Sequence, residues 1–199
     1  LTEAPRVVNG HITPFPKGTP LRCFVKGFPV WQENKRRWRP VFEPASNSRI
    51  NRDALPPLHY PSRAAGRRGV ASHKYRIQVD FSAFYDQLQL DESIQNCFVM
   101  RTKSPIIVNG EPYCLFALTR DPMGGSSAAH SAQTITWAIC ESAILTEGFF
   151  VRTMIDNVML TSDDPVIFVK VMTEFFERCR KVNATLNDAD KLPTTAEEI

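Results

Sequence analysis

Residues 75 to 81 read Y-R-I-Q-V-D-F, and Tyr75, Ile77, Val79 and Phe81 alternate with Arg76, Gln78 and Asp80. A period of two marks a half-buried strand, which sets Asp80 on the polar face at the strand's end. Residues 96 to 101 and 113 to 118 predict two more strands, joined by a turn at Asn109-Gly110. In D-P-M-G-G-S-S-A-A-H-S-A-Q, 121 to 133, a Gly-Gly turn runs into serines suited to an N-cap, and an Ala-rich helix is expected from about 127 to 146. Residues 149 to 162, F-F-V-R-T-M-I-D-N-V-M-L-T-S, form two mostly apolar runs on either side of Asp156-Asn157, which is a hairpin pattern. Asp164 and Pro165 then supply an N-cap and a first helical residue. Phe168, Val171, Met172, Phe175, Cys179 and Val182 keep helical spacing to about 183.

The front of the chain is patterned differently. Pro5, Pro14, Pro16, Pro20 and Pro29 make residues 1 to 34 an extended N-terminal segment of strands and loops. A basic segment follows over 35 to 79, and its part from 53 to 73, with Pro56-Pro57, Pro61 and R-A-A-G-R-R, predicts loops. Residues 80 to 199 hold the regular elements. Strands, helix, hairpin, helix in that order predict an α+β fold, an antiparallel sheet backed by helices. A length of 199 residues suits one domain, or a domain with a subdomain.

Charge sharpens this division. Residues 1 to 79 hold fifteen Lys/Arg against four Asp/Glu, a balance of +11, whereas 80 to 199 carry a balance of −8. Such a basic front predicts an anionic partner, nucleic acid or nucleotide. The five cysteines show no C-x-x-C and the four histidines no ligand spacing, so free thiols in a reducing, intracellular compartment are expected and zinc is not. No apolar stretch reaches the roughly 18 residues of a membrane span, so no membrane partner is expected. The first ten residues lack the regions of a signal peptide and an initiator Met, the expectation being a piece of a longer protein.

Two readings of Asp156-Asn157 compete. A two-residue turn accounts for the pair by itself, because Asp and Asn tolerate positive φ better than most residues. Alternatively, Asp156 sits at a hairpin tip to hold a metal ion, which calls for a second carboxylate. Asp80, 76 positions earlier, is the candidate if the two strands are neighbours in one sheet. Two hard-oxygen ligands suit Mg²⁺, which keeps several waters and takes further ligands from substrate phosphates. Two such ions about 3.5–4 Å apart activate an attacking hydroxyl and stabilise a leaving pyrophosphate.

D-F-S-A-F-Y-D-Q-L-Q-L-D (80 to 91), P-M-G-G-S-S-A-A (122 to 129), M-I-D-N-V (154 to 158) and L-N-D-A-D-K (186 to 191) follow one another in order. The series resembles motifs A, B, C and D of reverse transcriptases. Its G-G-S-S-A segment is most similar to that of retroelements of the tyrosine-recombinase group, DIRS-like and VIPER-type. Upstream, R-R-W-R-P-V-F-E-P (36 to 44) resembles the fingers segment W-R-x-x-x-D.

The resemblance implies a right-hand polymerase palm over 80 to 199 and a basic, loop-rich fingers subdomain over 35 to 79, with no thumb. It implies an RNA template, a DNA primer, deoxynucleotide substrates and two Mg²⁺ or Mn²⁺ ions. Asp80, Asp156 and the Phe81 carbonyl match metal ligands, with Asn157 where the motif has a second aspartate. Tyr85 matches the steric gate under the incoming sugar, core packing being its plainer role. Gly124 and Gly125 match the turn against template and nucleotide, or else simply start a helix. Arg39 matches the arginine that grips the triphosphate, helped by Lys35, Arg36 and Arg37. Trp38 is expected to pack beneath the fingers rather than stack on a base. Lys191 matches a proton donor to pyrophosphate or is an ordinary exposed lysine; Arg67 and Arg68, outside the matched motifs, are expected to contact phosphates, positioning rather than reading sequence.

The pattern breaks at motif C, where Met154-Ile155-Asp156-Asn157 lacks the usual aromatic and the second carboxylate. Two function classes follow. One is an active RNA-directed DNA polymerase domain; the other is a silent descendant that binds RNA or scaffolds a ribonucleoprotein with protein partners.

Overall fold

The computed structural model describes residues 9–55, 57, 58, 60, 62–141, 144 and 146–189. Its architecture is α+β: three antiparallel sheets with a few helices. The chain forms two units, each assembled from two stretches: residues 1–55 with 85–128, and residues 56–84 with 129–199.

The first unit is built on a hairpin. Asn109 and Gly110 have φ of 51° and 84°, the positive values that a tight two-residue connection needs. They join β5 (Val99–Val108) to β6 (Glu111–Leu118), and β1 (Ile12–Pro14) pairs along the other edge of β6. Residues 92 to 97, partly expected as strand, instead form a 3-10 turn capped by Asp91, whose carboxylate accepts from the Ser93 amide. A second hairpin pairs β2 (Val25–Gln32) with β3 (Arg37–Pro44) in unbroken register from Val25↔Pro44 to Gln32↔Arg37. Ile12, Val25, Phe42, Leu90, Met100, Phe116 and Leu118 form this unit's core.

The second unit opens with α1 (Arg63–Ser72), where a loop was expected. The prolines that argued for a loop all precede Arg63, and past them the run R-A-A-G-R-R-G-V-A-S contains no proline to stop a helix. Then β4 (Tyr75–Asp80) pairs with β8 (Asn157–Ser162), which pairs in turn with β7 (Phe150–Met154). Between the units' two stretches lies the single-turn α2 (Phe84–Gln87). The Ala-rich helix, α3, runs Ala128–Glu141, ending short of the expected 146. As predicted, Asp164 caps α4 (Pro165–Lys181), accepting from the amides of Val166 and Ile167 at 2.7 and 3.1 Å. The apolar stripe of α4 is fully buried at Phe168, Val171, Met172, Phe175 and Cys179, and the helix backs β8; Val182, expected in the same stripe, is instead the exposed C-cap residue, because the helix ends at Lys181. Phe81 ties sheet to helix, its ring 4.7 Å from that of Phe84 and 6.3 Å from that of Phe175.

Candidate metal centre

The alternation in 75 to 81 buries Val79 and Phe81, so Asp80 between them emerges half-buried at the end of β4. There β8 begins. Asp80 is the register partner of Asn157, and the Phe81 amide donates to the Asp156 carbonyl at 2.9 Å. The two aspartates, 76 residues apart, thus come to one end of the same strand pair.

The turn itself differs from the expectation. Met154 pairs with Asn157, so the two linking residues are Ile155 and Asp156, and Asn157 is already the first residue of β8. It is Ile155, not the Asp-Asn pair, that takes the positive φ, at 56°. For a β-branched side chain this is a strained conformation. Two side chains of α3 hold it: Gln133 Oε1 accepts from the Ile155 amide at 2.7 Å, and the Thr136 hydroxyl donates to the Ile155 carbonyl. Gln133 also donates to the Thr153 hydroxyl at 3.0 Å. Burial of Val158 and Leu160 against the core fixes the register of β8, and with it the turn one residue earlier than local preference predicts.

Asn157 is engaged on both sides. Its Oδ1 accepts from Gln78 Nε2 at 2.9 Å, and its Nδ2 donates to Asp156 Oδ1 at 3.1 Å. In this arrangement the oxygen accepts from Gln78, and the side of the amide that faces Asp156 is an N–H. The last described segment supplies a residue that the sequence reading missed. Leu186 bridges to Phe81, the Asn187 amide N–H donates to the Asp80 carbonyl at 2.8 Å, and Asn187 Nδ2 donates to Asp80 Oδ2 at 2.8 Å. Nδ2 also lies 3.5 Å from the Phe81 carbonyl oxygen. Asn187 belongs to the L-N-D-A-D-K segment, whose Lys191, expected as a proton donor, lies outside the described residues.

The Asp80 and Asp156 carboxylates and the Phe81 carbonyl, all at this end of the strand pair, are hard oxygens, the donor type that a divalent ion such as Mg²⁺ takes. Among the described residues there is no group of three or more His, Cys, Asp or Glu that could hold a metal.

The remaining predicted residues belong largely to the first unit. Gly124 has φ of 111°, and a Cβ on it would lie 2.1 Å from the Phe42 carbonyl oxygen. The close approach this glycine permits is thus to strand β3 of its own unit. The loop is clamped there: the Phe42 amide donates to Met123 O at 3.0 Å, while Asn47 donates to Gly124 O at 2.8 Å and accepts from the Ser126 amide at 2.9 Å. Gly125 lies inside the same clamp, its amide donating to Pro122 O at 2.9 Å. Arg39, half-buried, stands three residues before Phe42 on β3. Lys35 closes a 3-10 turn at the hairpin tip, Arg36 has φ of 44°, and Arg36 and Arg37 are exposed. Trp38 does not pack beneath this hairpin: it is 58% exposed and meets Trp31 edge-to-face at 5.3 Å. Tyr85 is half-buried on α2, and Arg67 and Arg68 are exposed on α1 of the second unit.

All five cysteines are free. Burial pushes the Cys179 thiol up to about 12 and the Asp121 carboxyl up to about 6. No described helix is long and apolar enough to cross a membrane. No protein-family model and no curated protein matches the chain.

Proposed function

We propose that this chain is the fingers and palm of an RNA-directed DNA polymerase, adding deoxynucleotides to a primer on an RNA template. One observation carries the reading: Asp80 and Asp156 come to one end of the β4–β8 pair, and Asn187, from the fourth motif segment, sits on Asp80. Separate local rules explain each segment. Their meeting around one carboxylate is what a shared chemical task requires.

In this reading Asp80, Asp156 and the carbonyl of Phe81 hold Mg²⁺ or Mn²⁺, which when bound polarises the attacking hydroxyl and neutralises the pyrophosphate. Arg39 grips the triphosphate with its planar, permanently charged fork, and Lys35, Arg36 and Arg37 add positive charge on the same hairpin. Tyr85 gates the sugar. The loop at Gly124 and Gly125 faces template and nucleotide, Lys191 donates a proton to pyrophosphate, and Arg67 and Arg68 meet backbone phosphates. The setting is an intracellular, reducing compartment.

A second reading, a silent RNA-binding or scaffolding descendant within a ribonucleoprotein, is favoured by Asn157. Its amide turns an N–H to Asp156 where a carboxylate would add charge to the ion site. Primer extension with Mg²⁺ and with Mn²⁺, comparing the natural chain with Asp80→Ala and Asn157→Asp, separates the two. Extension by the natural chain that Asp80→Ala abolishes is the expected outcome. Silence from the natural chain with extension gained in Asn157→Asp establishes a site disarmed by one amide. If both are silent and RNA binding persists in Asp80→Ala, the polymerase reading is lost.

A further inference from the structure

The backbone on both sides of Asp80 is tied down. On one side Asp80 and Phe81 pair with Asn157 and Asp156. On the other, the Ser82 amide donates to Thr185 O at 2.9 Å, Phe81 bridges Leu186, and the Asn187 amide reaches Asp80 O. These main-chain bonds do not need the side chain of residue 187. That side chain nevertheless donates to Asp80 Oδ2 at 2.8 Å, and the receiving carboxylate is half-buried. Residues Asn183 and Asp188, with φ of 55° and 51°, bracket the segment with left-handed turns that bring Asn187 inward.

We propose that Asn187 is a positioning residue for a divalent cation at Asp80, an inference that rests on the metal-centre reading above. A carboxylate on a single χ2 bond rotates freely in water. An amide donor fixed from a separate segment selects one orientation of it, and such outer partners of ligating carboxylates govern metal affinity strongly. The amide suits this place because it is neutral. A lysine would cancel the charge that the cation needs, whereas Asn187 orients Asp80 and leaves its charge intact. The same logic recurs at Asp156, oriented by the Nδ2 of Asn157.

The test measures Mn²⁺ binding to the whole chain by electron paramagnetic resonance, with thermal unfolding in Mn²⁺ and in EDTA read alongside. Asn187→Ala keeps the main-chain bonds and is expected to bind Mn²⁺ about 10–100-fold more weakly. Asn187→Asp is isosteric and sets a second carboxylate against Asp80. It is expected to melt lower than the parent in EDTA and to recover more of that loss in Mn²⁺ than the parent gains. Asp80→Ala is the reference for the site. Loss of binding in Asp80→Ala with unchanged affinity in Asn187→Ala overturns the positioning role and leaves the metal centre standing. Equal lowering of melting by Asn187→Asp in Mn²⁺ and in EDTA also overturns it, since a structural contact alone has no reason to follow the ion. Binding to Asp80→Ala as tight as to the parent sinks the metal centre itself, and the role of Asn187 with it.

Discussion

Gly124 illustrates how one residue carries two demands. In the polymerase reading proposed above, a glycine here would let template and nucleotide come close; the fold by itself requires one because the Phe42 carbonyl lies where a Cβ would go. Gly124→Ala is therefore expected to destabilise the protein by on the order of 3 kcal/mol, through strain at φ of 111° as well as the clash. Chemical denaturation checks this without any assay of activity. A loss below about 0.5 kcal/mol, the range of ordinary surface changes, would show that the clamp through Asn47 yields easily. Ile155 makes the complementary point. Nothing local favours isoleucine at positive φ, and Gln133 and Thr136, about twenty residues away on α3, hold it there.

At the scale of elements, α4 is the most legible part of the chain. Its N-cap, its proline and its apolar stripe as far as Cys179 all appear in the sequence and do in the fold what their chemistry predicts. Removing the Asp164 carboxylate leaves the amides of Val166 and Ile167 without their acceptor, so Asp164→Ala should cost about 1 kcal/mol. Asp164→Ser should restore most of it in the same melting experiment; failure of that rescue would point to a role outside capping. Strand β4 was equally readable, because its alternation matches one buried face. Helix α1 was not, since the prolines before it outweighed the run that follows. The hairpin was readable as a hairpin, yet its turn was read one residue late. Asp and Asn prefer turns, but pairing of Asn157 with Asp80 and burial of Val158 outweigh that preference.

For the molecule as a whole, Asp121 links folding to pH. Burial raises its carboxyl from 3.8 to about 6, so the folded chain holds this proton more tightly than the unfolded chain does. The stability this adds is complete below pH 3.8 and is lost as the pH rises through about 6. Above that the buried charge is a constant cost, on the order of 1–3 kcal/mol. Asp121→Asn should therefore stabilise the protein at pH 8, change little near pH 4, and flatten the slope between. Denaturant midpoints across that range test it, and parallel curves for the two proteins would discard the assignment.

The sequence by itself determined what depends on near neighbours. A period of two made β4, a period of 3.6 with a cap made α4, and Asn109-Gly110 made a hairpin, because backbone geometry and one-sided burial act over a few residues. It also singled out Asp80 and Asp156 as a pair worth testing. Only the tertiary structure decided how they meet, which residue bears the strained turn, and that Asn187 and Asn157 each donate to one of the two carboxylates. Those contacts join residues as far as 107 positions apart. An amide side chain has the same local pattern whether it faces water or a carboxylate, and only the folded chain distinguishes the two.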